Sequence, residues 1–138
     1  MDPDVRESVA LRAGNRCEYC RIPQTLLPFH VFHIEHIIAR QHAGSDDLSN
    51  LCLACQRCNA YKGPNLSSVD PRTDLVVGLF HPRRQIWHEH FTFQSVNIVG
   101  LTPTGRATVS LLKMNDDRRR TLRAELIALG DLRTDEVK

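Results

Sequence analysis

Apolar and polar positions along the chain mark out short elements separated by frequent breakers. Pro3 to Ala13 reads as a helix, with Asp2 as its cap, Pro3 in its first turn and Gly14 at its stop. Its apolar stripe is narrow: Val5, Val9 and the stem of Arg12. Phe29 to Ile37 alternates aromatic or aliphatic residues with histidines, the period of a strand. Gln41 to Ser49 carries Gly44, Ser45, Asp46 and Asp47 and reads as a loop. Leu51 to Ala54 is apolar and can pair back on the first strand, and Cys55 to Lys62 reads as a short helix stopped by Gly63 and Pro64.

After Asp70-Pro71 the character changes. Leu75–Phe80 and Phe91–Val99 read as strands, and Arg83 to His90 as a short helix or turn. Thr104 to Met114 reads as a helix after Pro103, and Asn115 as the cap of another that runs to Leu129 and stops at Gly130. Leu122, Leu126 and Leu129 share helical spacing and are expected to pack in the core. Nothing in the pattern separates a second domain, so the expectation is one domain over residues 1–138.

Composition narrows the class. Hydrophobic and charged residues make up 41% and 25%, ordinary for a globular protein, so neither disorder nor a fibrous chain is implied. No run approaches the ~20 apolar residues that span a bilayer, and no apolar core follows the first four residues. The expectation is a cytoplasmic protein with no membrane partner. A net charge of +2 says little, but arginines cluster at Arg83–Arg84 and Arg118–Arg120, either as phosphate contacts or as solvated faces. His81, Trp87, His88 and His90 form an aromatic-rich stretch that suits core packing, with base stacking the alternative.

Five cysteines, an odd number, argue against a disulfide scaffold. Four of them form two C-x-x-C pairs, Cys17/Cys20 and Cys55/Cys58, the pattern of a Zn2+ site. Four thiolates leave no ligand position for water, so that zinc is structural and any catalysis lies elsewhere. Cys52 is left over, as a core residue of the run Leu51-Cys52-Leu53.

Between and beyond the pairs lie Glu35-His36, then Asn50, then Asn59 and Lys62 on the short helix. The order C-x-x-C, Glu-His, Asn, C-x-x-C-Asn-x-x-Lys-Gly resembles the HNH endonuclease family in its zinc-bound form, from Arg16 to about Pro64. The resemblance implies an α+β chain built on a ββα-metal (His-Me finger) unit, with an N-terminal helix and a C-terminal extension over about 71–130. It implies metal-dependent cleavage or nicking of DNA. His36 would be the general base, Asn50 would tie the loop to the strand and orient that base, and Glu35 and Asn59 would hold a catalytic Mg2+ or Mn2+. Lys62, Arg57, Arg40, Arg83 and Arg84 are candidate phosphate contacts. Adjacent strand residues point to opposite faces, so Glu35 and His36 share a cleft only where the strand ends or bends. A non-catalytic zinc module that binds nucleic acid, or a zinc protein that binds other proteins, would need the cysteines but not those four residues together.

Overall fold

A computed structural model describes residues 2–134. It is a mixed α+β chain of small antiparallel hairpins and helices. The chain divides into two compact units: Met1–Asn65 with His81–Arg84, and Leu66–Phe80 with Gln85–Lys138. Among the described residues no helix is long and apolar enough to cross a membrane.

In the first unit, α1 (Pro3–Arg12) starts where Asp2 accepts a hydrogen bond from the Asp4 N–H, with proline in the first turn. Gly14 follows its end at φ +62, a backbone glycine adopts without penalty. Val9 is the buried residue of this helix, so apolar packing alone anchors it weakly. Arginine stems and heads add the rest. Arg6 donates to the Phe32 carbonyl at 2.7 Å and Arg12 to the carbonyls of Leu48, at 2.9 Å, and Leu51. β1 (His33–His36) pairs antiparallel with β2 (Leu51–Ala54) in the register His33 with Ala54 through His36 with Leu51. All four residues of β2 are buried. α2 (Gln56–Lys62) follows at once, with Cys55 as its cap and Gly63 at its end.

The strand expected over Phe29–Ile37 is therefore shorter than its alternation suggests. Gln24 is the reason: its Nε2 donates to the Leu27 and His30 carbonyls and its Oε1 accepts from the Phe32 N–H at 2.8 Å. These bonds satisfy the backbone in a looped form that leaves Phe29 exposed and Phe32 buried.

In the second unit, β3 (Ser67–Val69) pairs with β4 (Val76–Gly78), and β5 (Phe91–Gln94) with β6 (Asn97–Gly100). The single strand expected over Phe91–Val99 is a hairpin that turns at Ser95, with φ +55. No Asn-Gly pair announces that turn. α3 (Trp87–His90) precedes it, and α4 (Pro103–Leu111) and α5 (Asp117–Ala128) follow. α4 begins against the end of α3 so closely that a Cβ on Gly105 would fall 2.0 Å from the His90 carbonyl oxygen. Trp87 and Phe80 pack on Phe91, each with ring centroids 5.1 Å apart, and Phe93 adds to Trp87 at 5.5 Å. Of the aromatic stretch, Trp87 is core, His81 and His90 are half-buried and His88 is exposed.

Two expectations for the last helix change. Its cap is Asp116, which accepts from the Arg119 N–H at 2.9 Å. Asn115 instead pairs with both backbone groups of Ile98, at 2.9 and 2.8 Å, and so ties the helix start to β6. Of the leucine stripe, Leu126 is buried while Leu129 is 73% exposed. Two arginines of the same helix are buried as well. Arg119 reaches the Leu112 carbonyl at 2.8 Å, and Arg123 reaches the carbonyls of Val96 and Met114. Both are buried, so the Arg118–Arg120 cluster is not one uniform solvated face.

Candidate functional site

Four cysteines converge first. The sulfurs of Cys17, Cys20, Cys55 and Cys58 lie within 4.8 Å of one another, and all four residues are buried. A tetrahedron with zinc–sulfur arms of about 2.3 Å has edges of about 3.8 Å. Cys20 and Cys55 are 3.8 Å apart. Each pair forms the same small turn, with the Cys20 N–H directed at the Cys17 sulfur and the Cys58 N–H at the Cys55 sulfur, at 3.5 and 3.4 Å. Burial, with the neighbouring sulfurs, pushes the Cys17 thiol well above its ordinary range, and burial does the same to Cys58. Four sulfurs this close and this dry persist as thiolates only around a cation, and the geometry fits zinc.

The first turn is fastened to the hairpin by Glu18. Its N–H donates to the Leu53 carbonyl at 2.8 Å, and its carboxylate accepts from the Leu53 N–H at 2.7 Å. The other Glu18 oxygen is paired with Arg83. Partial burial, with Arg12 nearby, lowers the Arg83 guanidinium to about 10, still fully charged at neutral pH. Arg83 is thus committed inside this unit.

The hairpin carries the remaining candidates. β1 ends at His36, so the strand does stop where two adjacent residues would need it to. Glu35 and His36 nevertheless engage different partners. The Glu35 side chain is 6% exposed. Its Oε2 is 3.2 Å from the Cys52 sulfur, which also lies 3.7 Å from the Tyr19 hydroxyl. Burial pushes the Cys52 thiol up, and Glu35 pushes it further, so it stays protonated and can donate. Lys62 Nζ lies 2.9 Å from Glu35 Oε1 and donates to the Ile37 carbonyl at 2.9 Å. The ammonium supplies the charge a buried carboxylate needs. Lys62 is 2% exposed, so a phosphate contact has no free ammonium to make it.

His36 is half-buried, and its Nε2 is 2.7 Å from Asp46 Oδ1. Arg40 holds the same oxygen, at 3.1 Å through Nη2. The His36 ring, and after it Arg40, hold the Asp46 carboxyl below its ordinary range. Asn50 locks the strand end and the loop together. Its Oδ1 accepts from the Ile38 N–H at 2.9 Å, and its Nδ2 donates to the carbonyls of Ile38 and Ser45 at 2.9 and 2.8 Å.

Asn59 sits half-buried on α2, one residue past Cys58. Arg40, Arg57 and Arg84 are exposed. The structure therefore brings His36 and Asn50 to one strand end and puts Glu35 with Lys62. Sequence reasoning missed Asp46 and the Glu35–Lys62 pair. The signal for Asp46 was an acidic residue in the loop that Asn50 closes. For Lys62 it was the need of any buried carboxylate for a cation.

These features define a hairpin-and-helix unit stapled by a four-cysteine cluster. A family model for HNH endonuclease matches residues 17–65, and over that stretch the chain carries an HNH endonuclease domain. No curated protein and no solved structure matches the chain.

Proposed function

We propose that this protein is a divalent-metal-dependent endonuclease that nicks or cleaves DNA, with His36 as general base. The observation that carries this reading is the His36 ring at the end of β1, half-buried and held against a loop that Asn50 locks, inside the stretch matched to the HNH endonuclease family.

Hydrolysis of a phosphodiester needs a positioned water, a base to take its proton and a counter-charge on the phosphoryl oxygens. An imidazole has a pKa near neutrality and suits the base. Asn50 fixes the backbone at Ile38, just past the histidine, and at Ser45 in the loop. Asn59 offers a hard amide oxygen and Glu35 a carboxylate, oxygen donors of the kind that suit Mg2+ or Mn2+. Held by these two residues, the ion would neutralise charge on the phosphoryl and leaving oxygens. Lys62 balances Glu35 from inside the unit, so it is a counter-ion here rather than a DNA contact. Among the arginines, Arg57 and Arg84 remain candidates for backbone phosphates, while Arg40 is paired with Asp46.

The test is nicking of supercoiled plasmid by the wild-type protein and by His36→Ala, with zinc content and melting checked for both. A proton-transfer group contributes about 10²- to 10⁴-fold, so the variant is expected to lose at least about 100-fold in rate. Equal rates for the two proteins would remove His36 from the base role.

A further inference from the structure

The loop between β1 and β2 does more than connect them. It delivers one carboxylate to the imidazole at the strand end, and several independent features fix its path. Gly44 passes so close to the strand end that a Cβ there would fall 1.7 Å from the Ile38 carbonyl oxygen. Ala43, just before it, is held at φ +64. The Asn50 amide captures the Ser45 carbonyl at 2.8 Å, one residue before Asp46. The Ser45 hydroxyl accepts from the Asp47 N–H at 3.3 Å, one residue after it. Arg40 approaches Asp46 Oδ1 through both Nε and Nη2, at 3.3 and 3.1 Å. A carboxylate that is 70% exposed is thus held in one place by backbone on both sides and a guanidinium in front.

We propose that Asp46 is a positioning residue for the nuclease reaction: it holds the His36 ring so that Nε2 carries the proton and Nδ1 presents its lone pair to the attacking water. A carboxylate accepts and cannot donate, so the nitrogen 2.7 Å from Asp46 Oδ1 is the N–H of the ring. The neutral imidazole has one proton, which leaves Nδ1 bare. In the reaction, Nδ1 takes a proton from water as the water oxygen bonds to phosphorus. The bond from phosphorus to the leaving sugar oxygen breaks, and that oxygen takes a proton from solvent. Asp46 touches neither water nor substrate; it acts through the orientation and tautomer of His36. Arg40, in turn, is engaged as the clamp on Asp46. This inference rests on the reading of His36 as the base.

The tautomer can be read without substrate. A long-range proton–nitrogen NMR spectrum of the zinc-loaded protein at about pH 9, above the ordinary histidine range, is expected to show His36 protonated on Nε2 and bare on Nδ1. A proton on Nδ1 would overturn the proposal whether or not the protein is a nuclease. In the cleavage assay, Asp46→Ala is expected to lower kcat at least about tenfold, with KM, zinc content and Mn2+ affinity unchanged. Asp46→Glu, which keeps the carboxylate, is expected to recover part of that loss. Wild-type kcat in Asp46→Ala, beside an inactive His36→Ala, would overturn the positioning role while leaving the base in place. Loss of Mn2+ binding in Asp46→Ala would also overturn it, since Asp46 would then be a ligand.

Discussion

The first unit gathers its chain around four cysteine sulfurs, whereas the second gathers its chain around Phe80, Trp87 and Phe91. Each also uses charged side chains as internal ties, with different consequences. In the first unit Glu18, Glu35 and Lys62 are buried, and they fasten the turn and hairpin that present His36. In the second, Arg119 and Arg123 are buried against backbone carbonyls, and Asp70 accepts Arg106 through both oxygens, at 3.0 and 2.8 Å. One unit is built on a buried cysteine cluster of a geometry that fits zinc, the other on apolar burial and backbone satisfaction. A short, polar, loop-rich segment can hold a reactive histidine still if a metal closes it. A segment with aromatic residues to bury has no such need.

The sharpest way to break this contrast is to take the zinc away. Binding of a structural zinc is worth on the order of 10 kcal/mol, more than a small unit's own stability. Cys58→Ser, or a strong chelator, is expected to unfold the first unit. The chain has one tryptophan, Trp87, which is 2% exposed in the second unit. Its fluorescence is expected to stay that of a buried indole while Tyr19 amide protection is lost. Simultaneous loss of both signals would show that the contrast between the units is not real.

The smaller effects fall on the second unit. Arg106 holds the Asp70 carboxyl well below the ordinary range, with the Arg72 N–H and the Thr73 hydroxyl assisting. A carboxyl depressed on folding stabilises above its unfolded pKa of about 3.9 and loses that contribution as pH falls below it. Asp70→Asn is therefore expected to lower the melting temperature by several degrees at neutral pH. The gap to wild type should narrow as pH drops below about 4; a constant gap would mean that charge plays no part. Asp116→Ala removes the cap of α5 and is expected to cost about 1 kcal/mol in denaturant unfolding, without loss of zinc. A loss near zero would assign the start of that helix to Asn115 and its bonds to Ile98.

The zinc unit was the more legible of the two. Proline, glycine and capping residues marked α1 and α2 to within a residue, and the paired C-x-x-C spacing marked the cluster, because these signals are local in the chain. Long-range side-chain ties were invisible. Gln24 breaks the alternating Phe29–Phe32 stretch from outside it, and the hairpin at Ser95 has a turn without glycine. Asn115 and Asp116 are both good caps by type, and which one caps depends on Ile98, a partner 17 residues away. The same limit applies at the site. Glu35, His36, Asn50 and Asn59 stand out by order, but the pairing of Glu35 with Lys62 and of His36 with Asp46 depends on where folded side chains reach.

The most direct measurement separates the two metals. Protein carrying one zinc per chain, dialysed against a chelator too weak to take that zinc, is mixed with supercoiled plasmid and supplied with nothing, with Mg2+ or with Mn2+. Nicking is expected only where Mg2+ or Mn2+ is added, with the zinc content unchanged throughout. Full-rate nicking on zinc alone, or none with any divalent ion while the protein stays folded, would contradict a zinc that holds the unit and a second ion that serves the reaction.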